Sequence, residues 1–268
     1  MNADKKPLKL LSALSVFICV HLWPYFALRA QNNYEIQVYA SDLVPPGCTM
    51  TELHSNFTVN GFKTKMDGVL PDNHAEHETL EITHGWDEWF ETGFYIFTSI
   101  QNGTWYYVGS HIRPRIAVPE KYHLPVGLSL STEFGWVRPN LSTDTWTWEI
   151  RPIVDKKIEK WYFAFNPAIE KSFRGLEQPR GYEFSPDFKF SYDVTKKIAA
   201  GAEYYGGWGP IAGLEALREQ QQQIFPDVDL DFGKNWEFNF GVGLGVTQST
   251  ERLIVKAILG YRFNYKGP

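Results

Sequence analysis

Cysteine is scarce in this sequence: only Cys19 and Cys48 occur among its 268 residues. Cys19 lies in an N-terminal stretch that we predict to be removed during export. Cys48 then remains alone, so no intramolecular disulfide can form even though export passes through an oxidising compartment. A secreted domain held by a disulfide framework is therefore excluded.

Long apolar runs are also missing. After the N-terminus no run of about 18 or more apolar residues occurs, so we expect no membrane-spanning helix in the mature protein. Yet aromatic residues make up 16% of the chain, although its mean hydropathy is below zero. This combination is typical of a membrane β-barrel, in which lumen and loop residues offset the lipid-facing ones in any average. A soluble all-β protein is the alternative.

The chain has no excess of basic residues. Lys and Arg total 26 against 31 Asp and Glu, and removal of residues 1–30 leaves 22 basic (26 minus 4) and 30 acidic (31 minus 1). The resulting net charge near −8 argues against a nucleic-acid partner, which would require a basic face. A Gly-x-Ser-x-Gly motif, a phosphate-binding loop and a Cys/His metal pattern are all absent, and we expect no cofactor.

The N-terminus does carry the pattern of a signal peptide. Three lysines before residue 10 give a basic start, residues 10–26 are mostly apolar, and small residues offer a cleavage site after Ala30. We therefore predict a signal peptide over 1–30. An uncleaved anchor helix is the alternative, which His21 and Pro24 disfavour because they interrupt the apolar run.

Strand-like alternation dominates the rest of the chain. Over residues 236–246, Trp236 and Phe238 share one face with further apolar residues, while Glu237 and several glycines occupy the other. Bulky apolar residues against small or charged ones are typical of a strand with lipid outside and a polar lumen inside. Twelve such segments follow one another at nearly regular spacing, at about 50–60, 77–86, 89–101, 104–118, 126–138, 144–155, 160–171, 182–195, 197–207, 223–232, 236–248 and 252–263.

The connections between these segments favour an even strand number. In bacterial barrels both termini face the periplasm and the external loops are longer. With twelve strands, the three longest predicted connections (61–76, 172–181 and 208–222) all fall on the external side. We therefore predict an all-β fold, a single antiparallel transmembrane β-barrel of about 12 strands over residues 49–263; 14 strands is the alternative.

Two short segments flank the predicted barrel. Residues 31–48 form an N-terminal extended segment, because Tyr34 to Ala40 alternate and Pro45-Pro46-Gly47 then breaks the run. This segment is either a short periplasmic strand or a piece tucked into the barrel. Residues 264–268 form a C-terminal tail.

The last strand carries a resemblance to a known class. It ends Gly260-Tyr261-Arg262-Phe263 and is similar to the C-terminal signal strand of Gram-negative outer-membrane β-barrels, which an aromatic residue closes; here five further residues follow Phe263. Together with the signal peptide and the regular succession of strand-like segments, this ending makes the chain over about 34–263 resemble transporter-like or porin-like members of that class. The resemblance implies a location in the outer membrane, contact with its lipid, and assembly by the barrel insertion machinery. It implies no particular solute, because a fold does not fix a function.

Inward positions of the predicted barrel are charged with both signs. In one interpretation Arg113 and Arg115 face an acidic wall that includes Asp227, Asp229 and Asp231, and the resulting transverse field selects solutes. In the other, the same charges cross-link a packed lumen, because a charge in a low-dielectric lumen must be paired or hydrated. The candidate lumen and solute-binding residues are Glu52, His77, Glu81, Arg113, Arg115, Glu149, Arg151, Asp227, Asp229 and Asp231.

A metal site is a weaker prediction. Residues 74–84 are dense in His and carboxylate groups, which could hold zinc or another divalent ion, with His74, His77 and Glu81 as the candidates. Because only alternate residues of a strand share a face, a hydrogen-bonded strand end is favoured over a metal site.

A catalytic site is also weakly indicated. Barrel hydrolases of the outer membrane place a Ser-His pair on the lipid-facing side. His54 and Ser55 are the candidate residues for such a site in this sequence. Neighbouring residues of a strand point to opposite faces, so each would need a partner from an adjacent strand.

The function predicted from the sequence is therefore passive passage or binding of small solutes through a charged lumen. The alternatives are a lipid-modifying enzyme (a hydrolase or deacylase) of the outer membrane and a closed structural barrel.

Overall fold

The structure is a computed structural model that describes residues 33–265. The predicted signal peptide and the last three residues of the predicted tail lie outside this range. Within it, no helix is long and apolar enough to cross a membrane. The helical content of residues 33–265 is limited to two short 3-10 turns, Glu120–Tyr122 and Gln178–Arg180.

Twelve antiparallel strands form a closed ring. Each strand pairs with its neighbours in the chain, and the first strand also pairs with the last, Thr49 opposite Phe263 and Phe57 opposite Val255. A two-residue strand, β10, follows β9 and continues the pairing with β8 on the same side. The strands are β1 (Thr49–Asn60), β2 (Glu76–Gly85), β3 (Phe90–Gln101), β4 (Thr104–Ala117), β5 (Gly127–Val137), β6 (Asp144–Ile158), β7 (Trp161–Gly175), β8 (Tyr182–Asp193), β9 (Ile198–Gly207), β10 (Gly209–Pro210), β11 (Gln221–Asp231), β12 (Trp236–Gly245) and β13 (Leu253–Phe263).

The prediction of a twelve-stranded antiparallel barrel is confirmed, and the strand ends agree with the predicted ones to within four residues. The alternative count of fourteen is not formed in residues 33–265. The two longest connections, 61–75 and 208–220, lie at one end of the barrel, which is external by the rule for bacterial barrels. The prediction for the third longest was wrong, because β7 continues to Gly175 and shortens the loop after it.

Side chains alternate between the lumen and the outer surface along most of each strand. On β1 the inward residues Glu52, His54 and Asn56 are buried, whereas the outward residues Leu53 and Phe57 are exposed. The same alternation around the ring leaves an apolar band on the outside. Such a band is stable only when lipid covers it, because a soluble protein rarely exposes so large an apolar surface.

Tryptophans mark the two edges of the apolar band. Trp86, Trp89 and Trp161 are exposed at the periplasmic strand ends, and Trp105 and Trp146 are exposed at the external ends. An indole has an apolar body and one N–H donor, so it is suited to the boundary between lipid and water. Tryptophans at both edges are typical of the aromatic girdles of outer-membrane barrels.

Candidate functional site: a filled and charged lumen

The N-terminal segment lies inside the barrel. We call residues 33–48 the plug segment. At the external end, Asn33 Nδ2 donates to Glu251 Oε1 (3.1 Å) and to Asp72 Oδ2 (3.4 Å), and the Asn33 carbonyl accepts from Asn56 Nδ2 (2.9 Å). Glu251 and Asp72 belong to two external loops. Burial, reinforced by the negative charge of Asp72, raises the pKa of the Glu251 carboxyl well above its usual value.

In the middle of the lumen, barrel side chains hold the backbone of the plug segment. Asn166 forms a two-way pair with Tyr39: the Tyr39 N–H donates to Oδ1 (2.7 Å), and Nδ2 donates to the Tyr39 carbonyl (3.0 Å). The Lys256 Nζ donates to the Ile36 carbonyl at 3.1 Å. These contacts give hydrogen-bond partners to buried peptide groups. Without them, burial would remove the bonds of these groups to water with no replacement.

At the periplasmic end the segment is anchored to two further strands. Ser41 donates to Asp155 through its backbone N–H (2.9 Å) and through its hydroxyl (2.6 Å). Arg115 Nη2 donates to the carbonyls of Ala40 and of Asp42, the latter at 2.9 Å. The plug segment therefore crosses the lumen from the external loops to the periplasmic rim.

No β-ladder joins the plug segment to the wall. Among the described residues, its backbone-to-backbone bonds with the barrel are confined to the end that leads into β1, where Gly47 N–H donates to the Gly85 carbonyl (2.8 Å) and Gly85 N–H to the Cys48 carbonyl (3.1 Å). The part over residues 33–44 is held by side-chain contacts. The twelve-stranded ring is therefore complete without it.

Apolar residues of the plug segment fill gaps between inward apolar residues of the wall. Tyr34 packs in one buried cluster and Ile36 and Val38 in another. The wall contributions to these clusters are Tyr95, Phe97, Val108, Val137 and Leu141 in the first, and Ala164, Tyr205, Phe225 and Ile254 in the second. The lumen therefore has small apolar cores as well as charges.

Cavities border the plug segment towards both ends of the barrel. The external cavity, about 250 Å³, is lined by Asn33, Tyr34 and Glu35 of the plug segment and by external loops. The periplasmic cavity, about 570 Å³, is lined by Gln37, Val38 and Ala40 and by the periplasmic halves of several strands. Successive parts of one segment thus line the two spaces.

Arg113 and Arg115, which we predicted to face an acidic wall, have other carboxylates as their nearest charged partners. Arg113 donates to Glu81 at 2.6 Å and lies 3.6 Å from Glu91, while Arg115 lies 3.5 Å from the same Glu91. The Arg113 guanidinium also lies 4.8 Å from the centre of the Tyr39 ring. Both arginines lie beside carboxylates of β2 and β3, and both contact the plug segment.

The predicted acidic wall has its own cation. Lys189 Nζ lies 3.0 Å from Glu203, 2.9 Å from Asp227 and 2.8 Å from Asp229. Asp231 lies apart, at an exposed turn, where it accepts from the Gly233 N–H. Four of the five residues proposed to create a transverse field therefore belong to two separate, locally compensated groups, and Asp231 belongs to neither.

The external cavity is acidic at its inner end. Arg151 forms two hydrogen bonds with Glu149 (2.7 and 3.0 Å) and lies 3.4 Å from Asp187. Glu133 and Glu35 line the same space. Among the described residues that line this cavity, seven carry carboxyl groups, one is an arginine and two are histidines. The carboxyl groups belong to Glu35, Asp72, Glu133, Asp144, Glu149, Glu170 and Asp187, and the basic residues are Arg151, His77 and His111. Carboxyl groups therefore outnumber basic side chains in the lining of this cavity.

The predicted metal candidates are not brought together. His74 lies exposed in a loop with a positive φ of 61°, and His77 lies buried in the external cavity against Tyr34. Glu81 instead lies beside Glu52 and His54, and one ligand atom from each of these three residues falls within 4.8 Å of the others. The sequence pattern missed this set because it needs the pairing of β1 with β2.

The structure gives no Ser-His pair at the predicted catalytic position. Ser55 points outward and donates to Glu78 Oε2 at 2.7 Å, whereas His54 points into the lumen, with Nε2 3.5 Å from Glu81. The serine therefore has no imidazole base in this arrangement.

These features define a class: a twelve-stranded β-barrel of the outer-membrane type whose lumen holds its own N-terminal segment. Within that class, residues 125–263, more than half of the chain, match the family described as "Putative MetA-pathway of phenol degradation", and the chain belongs to this family. The match spans β5 to β13. The sequence matches no curated protein.

Solved structures share the fold at low identity. An outer membrane channel from Pseudomonas putida F1 aligns over 85% of this chain and 100% of its own, with 11% identity and a TM-score of 0.58. The NanC porin aligns over 80% of this chain and 100% of its own, with 7% identity and a TM-score of 0.53. The predicted class, an outer-membrane β-barrel located in the outer membrane, is confirmed by the fold and by its apolar band.

Proposed function

We propose that this protein is an outer-membrane channel for small solutes, and that the plug segment closes its lumen at rest. The observation that carries the proposal is the position of residues 33–44 between two cavities that open to opposite ends of the barrel. A segment held by side chains alone can leave without breaking the hydrogen bonds of the ring. Displacement of this segment would join the two cavities into a continuous path.

The contacts of the plug segment set the resting state. Its backbone and side chains form hydrogen bonds with Asp72, Asp155, Asn166, Lys256 and other wall residues, as described above. A typical intramolecular hydrogen bond contributes about 0.5–1.5 kcal/mol net, so the sum strongly favours the closed form. We therefore expect rare openings in the resting channel rather than steady current.

The external cavity indicates the class of solute. Its carboxyl groups favour a cation, and Val137, Leu141 and Leu70 supply an apolar side. The family description links its members to phenol degradation. A small aromatic solute that carries a positive charge combines these requirements: the ring packs on the apolar side, and the charge lies near Glu133 and Glu149.

A cysteine lock tests the closure. Ser41→Cys with Asp155→Cys, in a Cys48→Ser background, would join the plug segment to β6, because the Ser41 hydroxyl lies 2.6 Å from the Asp155 carboxylate. We expect single-channel current to be suppressed when the disulfide is formed and to return on reduction. The Cys48→Ser single variant is the control, and its current should not respond to the reductant.

Removal of the segment gives the complementary measurement. A refolded barrel that begins at residue 45 should conduct steadily in a planar bilayer. Absence of current from a demonstrably folded truncated barrel would refute the channel and favour the closed structural barrel.

Selectivity tests the solute class. In a salt gradient the reversal potential should show cation preference, and Glu133→Gln with Glu149→Gln should reduce it, while Glu159→Gln in an exposed turn should not. In liposome swelling, tyramine should enter faster than 4-hydroxyphenylacetate, which has the same phenol ring and the opposite charge. Equal rates for the two solutes would contradict the proposed cation preference.

A further inference from the structure

We infer that the lumen contains a binding site for a zinc-type divalent cation, formed by Glu52, His54 and Glu81. Glu52 and Glu81 lie directly opposite one another on β1 and β2, and His54 is the next inward residue along β1. One carboxylate oxygen from each glutamate and one imidazole nitrogen lie within 4.8 Å of one another. All three side chains are buried.

The unsatisfied state of His54 points to a ligand. Its side chain is 0% exposed, and Nδ1 has no hydrogen-bond partner among the described residues. Nε2 and Glu81 Oε2 face each other at 3.5 Å, and neither atom forms a hydrogen bond with any other described residue. Leaving buried polar atoms unpaired is costly, and a cation between the imidazole and the carboxylates would satisfy them together.

The second oxygen of Glu81 is already held in place. Arg113 Nη2 donates to Glu81 Oε1 at 2.6 Å, and Thr83 Oγ1 donates to the same oxygen at 2.7 Å. These bonds orient the carboxylate so that Oε2 faces the imidazole. Hydrogen bonds of this kind to ligating carboxylates are a regular feature of metal sites, where they fix the direction of the ligand.

The spacing suits a small, tetrahedral ion. Ligands at zinc distances of about 2.1 Å lie about 3.4 Å apart in a tetrahedron. The 3.5 Å between His54 Nε2 and Glu81 Oε2 matches this separation, and Glu52 requires only a modest inward movement. One imidazole and two carboxylates form a donor set that zinc and similar divalent ions accept, whereas a calcium site would need more oxygen ligands.

A cation here would also contact the plug segment. Glu52 lines the periplasmic cavity, which gives a route of entry, and Gln37 Nε2 lies 3.5 Å from Glu52 Oε1. The Gln37 Oε1 is buried without a hydrogen-bond partner. Rotation of this amide would present an oxygen to the cation as a fourth ligand. This link to closure rests on the proposed function, but the binding of the cation does not.

Metal content is the direct test. The refolded barrel, stripped with chelator, is dialysed against micromolar Zn²⁺, and bound zinc is measured by mass spectrometry. We expect one Zn²⁺ per barrel, and binding weaker by about tenfold or more in His54→Gln and Glu52→Gln, since each removes a ligand. His84→Gln, a β2 histidine that bonds to Thr49, is the matched control and should bind as the wild type does.

Each other outcome has a definite meaning. Substitution of Co²⁺ for Zn²⁺ should give the intense visible absorption of a tetrahedral site in the wild type and not in His54→Gln. If zinc does not bind, or if folded His54→Gln and Glu52→Gln bind it as well as the wild type, the site is refuted. Should His54→Gln not fold, Glu52→Gln decides, because Glu52 borders a cavity. The channel proposal is unaffected by these results, since its test is current.

The role of the plug segment in the site has a separate test. Gln37→Leu should weaken zinc binding while leaving the three wall ligands in place. Addition of Zn²⁺ should lower the frequency of openings in the wild type and have no effect in the barrel that begins at residue 45. Unchanged affinity in Gln37→Leu would refute the contribution of the plug segment.

Discussion

At the scale of single residues, Lys256 shows how one lumen charge connects the wall to the plug segment. Its side chain is fully buried; Nζ pairs with Glu203, and donates to the Ile36 carbonyl at 3.1 Å. Removing one member of a buried ion pair leaves the other charge without compensation, which typically costs about 3–5 kcal/mol. The sequence places Lys256 on the inward face of β13, but it cannot name partners on β9 and in the plug segment.

We therefore predict that Lys256→Met markedly lowers the denaturant midpoint of the refolded barrel. Adding Glu203→Gln should restore part of the loss, because without Lys256 the Glu203 carboxylate competes with Asp227 and Asp229 for the single charge of Lys189. Lys121→Met is the matched control, since Lys121 pairs with Glu88 on the exposed surface and such pairs contribute little. Urea titration of the three variants measures the differences. Equal losses for Lys256→Met and Lys121→Met would contradict this assignment.

Glu251 gives a second prediction at this scale, for pH. Burial and then the nearby Asp72 raise its pKa in the folded barrel, so the folded state binds this proton more tightly than the unfolded state. The contribution of the group to stability is therefore greatest below its unfolded pKa of about 4.3, and falls as pH rises toward the folded value. Glu251→Gln removes this dependence.

The measurement is the difference in unfolding free energy between Glu251→Gln and the wild type. The stability of the variant relative to the wild type should increase as pH is raised from about 5 to about 8. Glu159→Gln, in an exposed turn, should show no such shift. A difference that is independent of pH would show that Glu251 titrates normally in the folded barrel.

At the scale of the elements, strand packing depends on where glycine faces the lumen. A Cβ on Gly243 would lie 2.2 Å from the Phe225 ring of the neighbouring strand, and one on Gly135 would lie 1.9 Å from the His111 ring. These glycines therefore make space for inward rings on adjacent strands. The alternation in the sequence indicated a small inward face on β12, but not which ring occupies it.

Gly243→Ala should accordingly destabilise the barrel, by about 1–3 kcal/mol for an overpacked site. Phe225→Leu in the same chain should recover part of the loss, because the smaller side chain vacates the space. Gly213→Ala is the control, since nothing lies within 4 Å of a Cβ at that position. The unfolding midpoints of these variants provide the comparison, and no recovery in the double variant would contradict the contact.

Strand positions were predictable because alternation has a strong physical cause. Lipid on one side and a polar lumen on the other impose a period of two, and that signal persisted even through Pro152, Pro167 and Pro186. These prolines lie side by side on β6, β7 and β8, and the β6–β7 pairing is interrupted between Ile150 and Val154. A proline usually argues against assigning a segment to a central strand. Here the apolar outward face of each segment was the stronger indication, and the strands were predicted in spite of their prolines.

At the scale of the whole molecule, the partners in the lumen could not be predicted. Arg113 and Arg115 were recognised as inward, but whether they meet Glu91 or Asp227 depends on the order of strands around the ring and on what fills the centre. Tyr34 to Ala40 showed alternation, which also fits a strand. The burial of Ile36 against Phe225 and Ile254 follows from three separate parts of the chain coming together.

The closed ring and the plug segment have separable roles, and this leads to the last prediction. Every strand of the ring is paired on both sides without residues 33–47, so a barrel that begins at residue 48 should still insert and fold. Its stability should fall by several kcal/mol, because burial of side chains such as Tyr34 and Ile36 contributes about 1.5–3 kcal/mol each. The heat-induced shift in gel mobility reports folding, and urea titration reports the loss. If the truncated chain gives no folded band, the plug segment is part of the folding core rather than a removable gate.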